Sequence, residues 1–486
     1  MDNWTRRGVL GGVAAGVAFP VWGKTVRPAP RPGVAVPTAL PDVTSLIAAA
    51  RLGGITGYAV GDLATGRVIE AANDTTPLPP ASVAKTITSL HALDRLGGTH
   101  RFNTRVMAVG SVSGGRLTGD LVLAGGGDPT LDTDKLGDLV AALARTGLRE
   151  VTGRFLAYAG ALPSFERISA EQPVQVGFDP GLSGLALNYN RVNFEWTEGG
   201  ATVQMNARGQ RYVPVVKMAR MAVADRATPL FSYGQEPGVE DWSVARTGLG
   251  LAGSRWLPVR QVAPYVAEVF QTLCAAQGIR LPQAEVVQVL PPGAVTLVNW
   301  QSDELLSILR SMLKFSTNIT AETVGLAATG AGSLTASAAA VQSWAKDQLG
   351  LDATLVDHSG LGAASRVTAA GMMQALLAGQ KSASGAALQS ILRNIGLRDR
   401  AGKPVKGATT RVLAKSGTLN FVSGLVGFVA PKAGKDLVFA IFTADVARRE
   451  AVPMDAREEP TGQKDWVRRA HLLQGQLIAR WAAAYC

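Results

Sequence analysis

Three short groups of residues carry side chains suited to nucleophilic acyl chemistry. In Ser82-Val83-Ala84-Lys85 a hydroxyl and an amine stand three residues apart. On a helix, positions i and i+3 share a face, so Lys85 reaches the Ser82 hydroxyl. A serine needs a base to be a nucleophile at neutral pH, and a buried lysine of lowered pKa can be that base. A helix N-terminus also favours negative charge developing beside Ser82. In Ser316-Thr317-Asn318 a hydroxyl and an amide on a tight turn can point into one cleft. In Lys415-Ser416-Gly417-Thr418 a lysine on a strand edge can meet a carboxylate, and Gly417, lacking a side chain, lets a substrate backbone approach. Each group alone also reads as ordinary structure: a helix cap followed by a surface lysine, a polar turn, a surface β-turn. Taken together and in order, they read as one set.

The elements around them supply three different contexts. Gly57–Asp62 and Gly66–Glu70 read as two strands joined by a turn. Pro79-Pro80 then halts the chain, and Val83, Ile87, Leu90, Leu93 and Leu96 recur at helical spacing until Gly97-Gly98. From Phe102 to about Leu290 short β-type runs alternate with Gly-rich turns, as in Arg105–Val112, Arg116–Leu123, Ala201–Ala207 and Tyr212–Met221. Two helical stretches interrupt them, at Asp134–Thr146 and Val262–Gln277. Helical spacing returns at Leu305–Leu313, and further helices are expected at 319–329, 334–349, 369–379 and 464–484. Strands are expected at Thr410–Leu413, Val422–Val429 and Leu437–Ala444. The serine–lysine pair thus opens a helix, the serine–asparagine pair follows one, and the second lysine lies in a β-prone run.

Composition narrows the classes. The 486 residues are 47% apolar and 17% charged, which is globular. The net charge of +11 is spread thinly, with aromatics at only 6%, which argues against a nucleic-acid groove. Four His and two Cys exclude a Cys/His zinc cluster and an iron–sulfur site, and no H-E-x-x-H occurs. No cofactor or metal is implied. A bridge between Cys274 and Cys486 stays open. Arg6-Arg7 before an apolar stretch that runs from Gly8 to Gly23 reads as a secretory signal over residues 1–23 and resembles a twin-arginine export signal. An exported, periplasmic protein is expected, with peripheral membrane association left open. Val26–Pro41 reads as a proline-rich linker.

With its flanks, the set resembles the penicillin-recognising serine acyl-transferases. Within them it is similar to the class C low-molecular-mass penicillin-binding proteins, the D-alanyl-D-alanine carboxypeptidase/endopeptidase family. Pro80-Ala81-Ser82-Val83-Ala84-Lys85, Gly119–Leu131, Met312–Asn318 with Ala321-Glu322, Asp357-His358-Ser359-Gly360-Leu361 and Leu413–Leu419 carry the resemblance. The long insertion between the first two motifs separates it from serine β-lactamases. The resemblance implies an α/β (α+β) transpeptidase-like core, residues 24–101 and 290–486, with a five-stranded antiparallel sheet flanked by helices. A mainly β insertion, 102–289, is expected to form two subdomains.

The family resemblance also implies roles. Ser82 attacks the carbonyl between two D-alanines of a peptidoglycan stem peptide, and Lys85 takes its proton. Ser316 passes a proton to the leaving amine, and Asn318 holds the penultimate amide. Lys415 and Ser416 hold the terminal carboxylate, and Gly417 and Thr418 also bind substrate. Backbone N–H groups of Ser82 and Thr418 form the oxyanion hole. β-Lactams become covalent inhibitors. Glu322 and Asp357 are expected to be structural. In family members that grip a diaminopimelate side chain, an acid early in the insertion and an arginine after Ser-Gly-Leu do so. Here Phe155–Leu162 has no carboxylate, and the arginine is absent or displaced to Arg366. A β-lactamase or esterase on the same site, or an inert wall-binding scaffold, are the alternatives.

Overall fold

The computed structural model describes residues 40–399 and 401–486. The expected export signal and most of the proline-rich linker lie outside the described residues.

Along the chain, α1 (Val43–Ala50) precedes β1 (Ile55–Asp62) and β2 (Val68–Ala72). A 3₁₀ turn, Ala81–Ala84, leads into α2 (Lys85–Leu96). The insertion follows with β3 (Asn103–Ser113), β4 (Arg116–Gly125), α3 (Thr133–Arg145), β5 (Glu150–Val151) and β6 (Phe155–Tyr158). It continues through β7 (Arg191–Thr197), β8 (Thr202–Asn206), β9 (Ala219–Ala224), β10 (Phe231–Glu236), β11 (Val239–Ala245) and β12 (Gly253–Pro258). It ends with α4 (Val262–Ala276), β13 (Ala284–Val287) and β14 (Val295–Gln301). Helices α5 (Leu305–Phe315), α6 (Asn318–Thr329), α7 (Leu334–Leu349), α8 (Ala369–Gly379) and α9 (Ala383–Ile391) come next. Then come β15 (Arg393–Asn394), β16 (Arg411–Leu419), β17 (Val422–Ala430), β18 (Leu437–Ala444), α10 (Val446–Glu450) and α11 (Gln463–Tyr485).

The core sheet has the order β15-β16-β17-β18-β1-β2, with every pairing antiparallel. It is therefore six-stranded, one more than expected, because the two-residue β15 caps the start of β16. Strand β18 shows why the sheet lies between helices. Its sequence, LVFAIFTA, is buried throughout. Successive side chains point to opposite faces. Val438, Ala440 and Phe442 join the cluster under α2 and α5–α9, whereas Leu437, Phe439 and Ile441 join the one under α1 and α11. Trp466 and Trp481 of α11 fill that second layer and are fully buried.

The insertion holds a six-stranded sheet, β13-β6-β4-β3-β14 with β5 on β4, and two three-stranded sheets, β10-β11-β9 and β12-β7-β8. The three sheets share one apolar cluster with α3 and α4. The expected boundary at residue 289 falls short. Strand β14 pairs antiparallel with β3, so the inserted sheet closes only at Gln301. The expected strand Tyr212–Met221 forms only from Ala219. Pro214 has no N–H to give a ladder, and the N–H groups of Lys217 and Met218 bind the Glu268 carboxylate instead. Cys274 and Cys486 are both free, the first buried in α4.

Candidate active site

Pro79 and Pro80 have no N–H and confine the pairing before the Ala81–Ala84 turn to the single bridge of Leu78 with Val367. Helix α2 begins at Lys85 and not at Val83, so Ser82 stands one turn before it. The 3₁₀ winding eclipses positions i and i+3, which stacks the Lys85 amine on the Ser82 hydroxyl. Ala81 has a left-handed φ of 48°, an unfavourable state for a residue with a Cβ. Gly360 packs directly against it: a Cβ there would lie 1.9 Å from the Ala81 carbonyl oxygen.

Lys85 is wholly buried, with Nζ 2.9 Å from Ser82 Oγ, 2.8 Å from Asn318 Oδ1 and 2.8 Å from the Ser359 carbonyl oxygen. The last two partners only accept. A neutral amine has two N–H groups and one lone pair. Giving both N–H groups to these carbonyls leaves the lone pair facing the Ser82 hydroxyl. Burial, and then the charge of Lys415, push Lys85 down from 10.5 to about 7, while Glu322 and Asp357 pull the other way. Burial and the neighbouring Asp357 in turn push Glu322 upward. Both acids have structural jobs, as expected. Glu322 accepts the N–H groups of His358 and Ser359, and Asp357 those of Gly360 and Gly362. They shape the turn that aims the Ser359 carbonyl at Lys85.

Ser316 ends α5 in a left-handed conformation, φ 61°, and Asn318 opens α6 two residues later. This short reversal brings both side chains beside Lys85 and Lys415. Lys415 Nζ donates to Ser316 Oγ at 3.0 Å and to the carbonyl of its neighbour Ser416. Burial lowers Lys415 from 10.5 to about 8. Strand β15 pairs only with Leu413 and Ala414, so the outer edge of β16 from Lys415 to Leu419 has no strand partner among the described residues. Ser416 and Thr418 are exposed there.

Two expected contacts take another form. Gly417 does not open space for a ligand. A Cβ at Gly417 would lie 2.8 Å from the Pro80 carbonyl oxygen, 2.8 Å from the Ser82 nitrogen and 2.9 Å from the Val83 nitrogen. It is glycine because the serine turn packs on it. Asn318 Nδ2 donates to the Phe178 carbonyl of the insertion at 3.0 Å. Its amide is thus bonded at both ends, to Lys85 and to the insertion.

All the sequence-identified residues converge. Ser82, Ser316, Asn318, Ser416 and Thr418 line one cleft of about 610 Å³, with Lys85, Lys415 and Gly417 beneath it. The sequence reading missed the charged wall opposite. Glu171 accepts from the Ala363 N–H at 3.0 Å, and Arg457 donates to the Glu171 carbonyl at 2.7 Å. Arg449, Glu450 and Glu458 complete that wall. No motif announces these five, since they come from a loop of the insertion and from the segment after β18. The acid-free stretch Phe155–Leu162 includes β6, inside the insertion sheet. Arg366 is held locally by the carbonyls of Ala363 and Ser365.

A serine–lysine nucleophile under a free strand edge defines a serine acyl-transferring hydrolase. The chain belongs to the D-Ala-D-Ala carboxypeptidase 3 (S13) family, whose model matches residues 40–462. It is 27% identical over 433 residues to a D-alanyl-D-alanine carboxypeptidase of Actinomadura sp. (strain R39), covering 80% of this chain and 77% of the relative. A carboxypeptidase of Mycobacterium tuberculosis is 26% identical over 490 residues, with 92% and 90% covered. Among solved structures, penicillin-binding protein 4 (DacB) of Haemophilus influenzae has the same fold, with a TM-score of 0.71 at 20% identity. That match covers 92% of this chain and all of the other.

Proposed function

We propose that the protein is a penicillin-sensitive serine D-alanyl-D-alanine carboxypeptidase, with endopeptidase capacity, that works on peptidoglycan stem peptides through an acyl-enzyme on Ser82. The observation that carries this is the buried Lys85 amine, 2.9 Å from Ser82 Oγ and saturated by two carbonyl acceptors on its other side. Lys85 takes the Ser82 proton as Oγ attacks the carbonyl carbon between the two D-alanines. The N–H groups of Ser82 and Thr418 receive the oxyanion, a contribution of roughly 2.7–4 kcal/mol per donor. The C–N bond breaks, and the leaving amine takes its proton through Ser316, which Lys415 holds at 3.0 Å. Water then cleaves the ester and regenerates Ser82.

The substrate enters as a strand against the free edge of β16, the mode of main-chain recognition that suits an extended peptide. Its terminal carboxylate meets Lys415, Ser416 and Thr418. Its amide carbonyl replaces that of Phe178 on Asn318. A β-lactam enters the same way and stays attached; the Haemophilus neighbour has also been solved with a β-lactam bound. Export by the twin-arginine route is the reading of Arg6-Arg7 and the apolar stretch after it.

Intact mass before and after penicillin, with peptide mapping, tests the reading. A single stable adduct on Ser82 is expected. No adduct with intact penicillin would leave the inert-scaffold alternative, and no adduct with hydrolysed penicillin would point to a β-lactamase.

A further inference from the structure

A second cleft, of about 600 Å³, adjoins the first at Ser316 and Asn318. Phe178, Ser316 and Asn318 line both, so the two clefts meet at a ridge formed by the Phe178–Asn318 contact. Tyr189, Arg191 and Phe315 also line the second cleft. Releasing one alanine needs no such space.

Arg191 is the unusual member. Its guanidinium lies 5.4 Å from the Tyr189 ring and 5.5 Å from the Trp256 ring. Its Nε is buried without a hydrogen-bond partner, and its side chain has no ion pair among the described residues. Burial lowers its proton affinity, and the groups that oppose this are Tyr189 and Tyr265, with no carboxylate among them. Sequestering a cation without a counter-charge is costly, and two ring faces offset only part of that.

The backbone that presents it is strained. Asn188, Tyr189 and Asn190 run consecutively through left-handed φ values of 51°, 55° and 55°. Asparagine tolerates this state, but tyrosine does so at a cost. The side chains of the two asparagines clamp the run, Asn188 to Thr133 and Asn190 to Leu187 and Gly181. Beside this fixed cation, Phe178 and Phe315 are 48% and 68% exposed, an unusual pair of open rings flanking one polar cleft.

We propose that this cleft holds the leaving half of a cross-linked wall peptide, with Arg191 bound to a carboxylate on that half and the two phenylalanines packed on its aliphatic parts. This rests on the functional reading above, its endopeptidase capacity included, and adds where the leaving half of a cross-link sits and which residue reads its charge. Ser316, which passes the proton to the leaving amine, lines both clefts, so a peptide attached to that amine extends into the second one.

The test uses three substrates: a monomer ending in D-Ala-D-Ala, a cross-linked dimer whose leaving half carries a carboxylate in addition to the one beside the scissile bond, and the same dimer with that additional group amidated. Rates are taken per penicillin-reactive site, so misfolded protein is not counted. The parent enzyme should cleave the carboxylate dimer roughly tenfold faster than the amidated one, the scale of a single charge-assisted contact. R191Q should abolish that preference and lower the ratio of dimer to monomer cleavage. F315A, at an exposed position, should slow both dimers relative to the monomer. Equal cleavage of the two dimers by the parent, or an R191Q variant with the preference intact, overturns the inference and leaves the carboxypeptidase reading standing. A parent that neither releases D-alanine nor labels with penicillin overturns both.

Discussion

Replacing Lys85 by methionine should abolish acylation and stabilise the fold at the same time. The lysine is wholly buried, and its pKa falls from 10.5 to about 7. At roughly 1.4 kcal/mol for each tenfold change in proton affinity, holding it charged in the folded state costs about 5 kcal/mol. Methionine fills a similar volume with no charge. Against this gain, the carbonyls of Asn318 and Ser359 lose a donor, at about 1–3 kcal/mol for a buried acceptor left unpaired. With two such acceptors the balance favours K85M by about 1 kcal/mol below pH 7, a rise of about 1–2 °C in melting temperature. The sign of the pH dependence follows from the depressed pKa. Between about 7 and 10.5 the unfolded chain binds the proton that the folded chain has released, so parent stability climbs with pH across that window. The advantage of K85M should therefore be greatest below pH 7 and shrink steadily towards pH 10. Melting curves of parent and variant at one-unit pH steps, beside the rate of penicillin labelling, check this. A K85M advantage that does not change with pH, or a variant that melts well below the parent at pH 6, would refute the account of Lys85 as a strained, deprotonated base.

Three further outcomes follow from the same geometry. S82A should give no penicillin adduct and lose at least about 10³-fold in D-alanine release with an unchanged melting temperature, read by mass spectrometry and a coupled D-alanine assay. The acylation rate should be bell-shaped in pH: it rises through about 7 as Lys85 loses its proton, and falls through about 8 as Lys415 loses the charge that holds the substrate carboxylate; a profile flat from pH 6 to 9 would contradict both assignments. G417A should slow acylation at least tenfold and lower the melting temperature, because its Cβ meets backbone atoms of Pro80, Ser82 and Val83 at 2.8–2.9 Å; a variant impaired only in substrate binding, with an unaltered penicillin rate, would restore the reading that Gly417 makes room for a ligand.

The chemistry was legible in the chain because it is carried by local patterns. Ser82 and Lys85 are one turn apart, Ser316 and Asn318 span a single reversal, and Lys415 to Thr418 are consecutive on a strand; spacing alone decides which of these side chains can meet. The run Leu437–Ala444, apolar but for Thr443, likewise announced a strand, which the fold buries on both faces. What the chain could not give are the meetings between distant segments. Asn318 bonds to Phe178, Glu171 to Ala363, and β14 returns to the edge of β3; each joins residues whose local sequences are ordinary turns or polar loops. The placement of Gly417 is of the same kind, since its missing side chain is explained by the serine turn packed on it and not by anything in its own strand. The sequence alone therefore determined which groups react, through short-range periodicity. The tertiary structure alone decided their proton affinities and the walls around them, because burial and the approach of Lys415 to Lys85 exist only once the chain has closed.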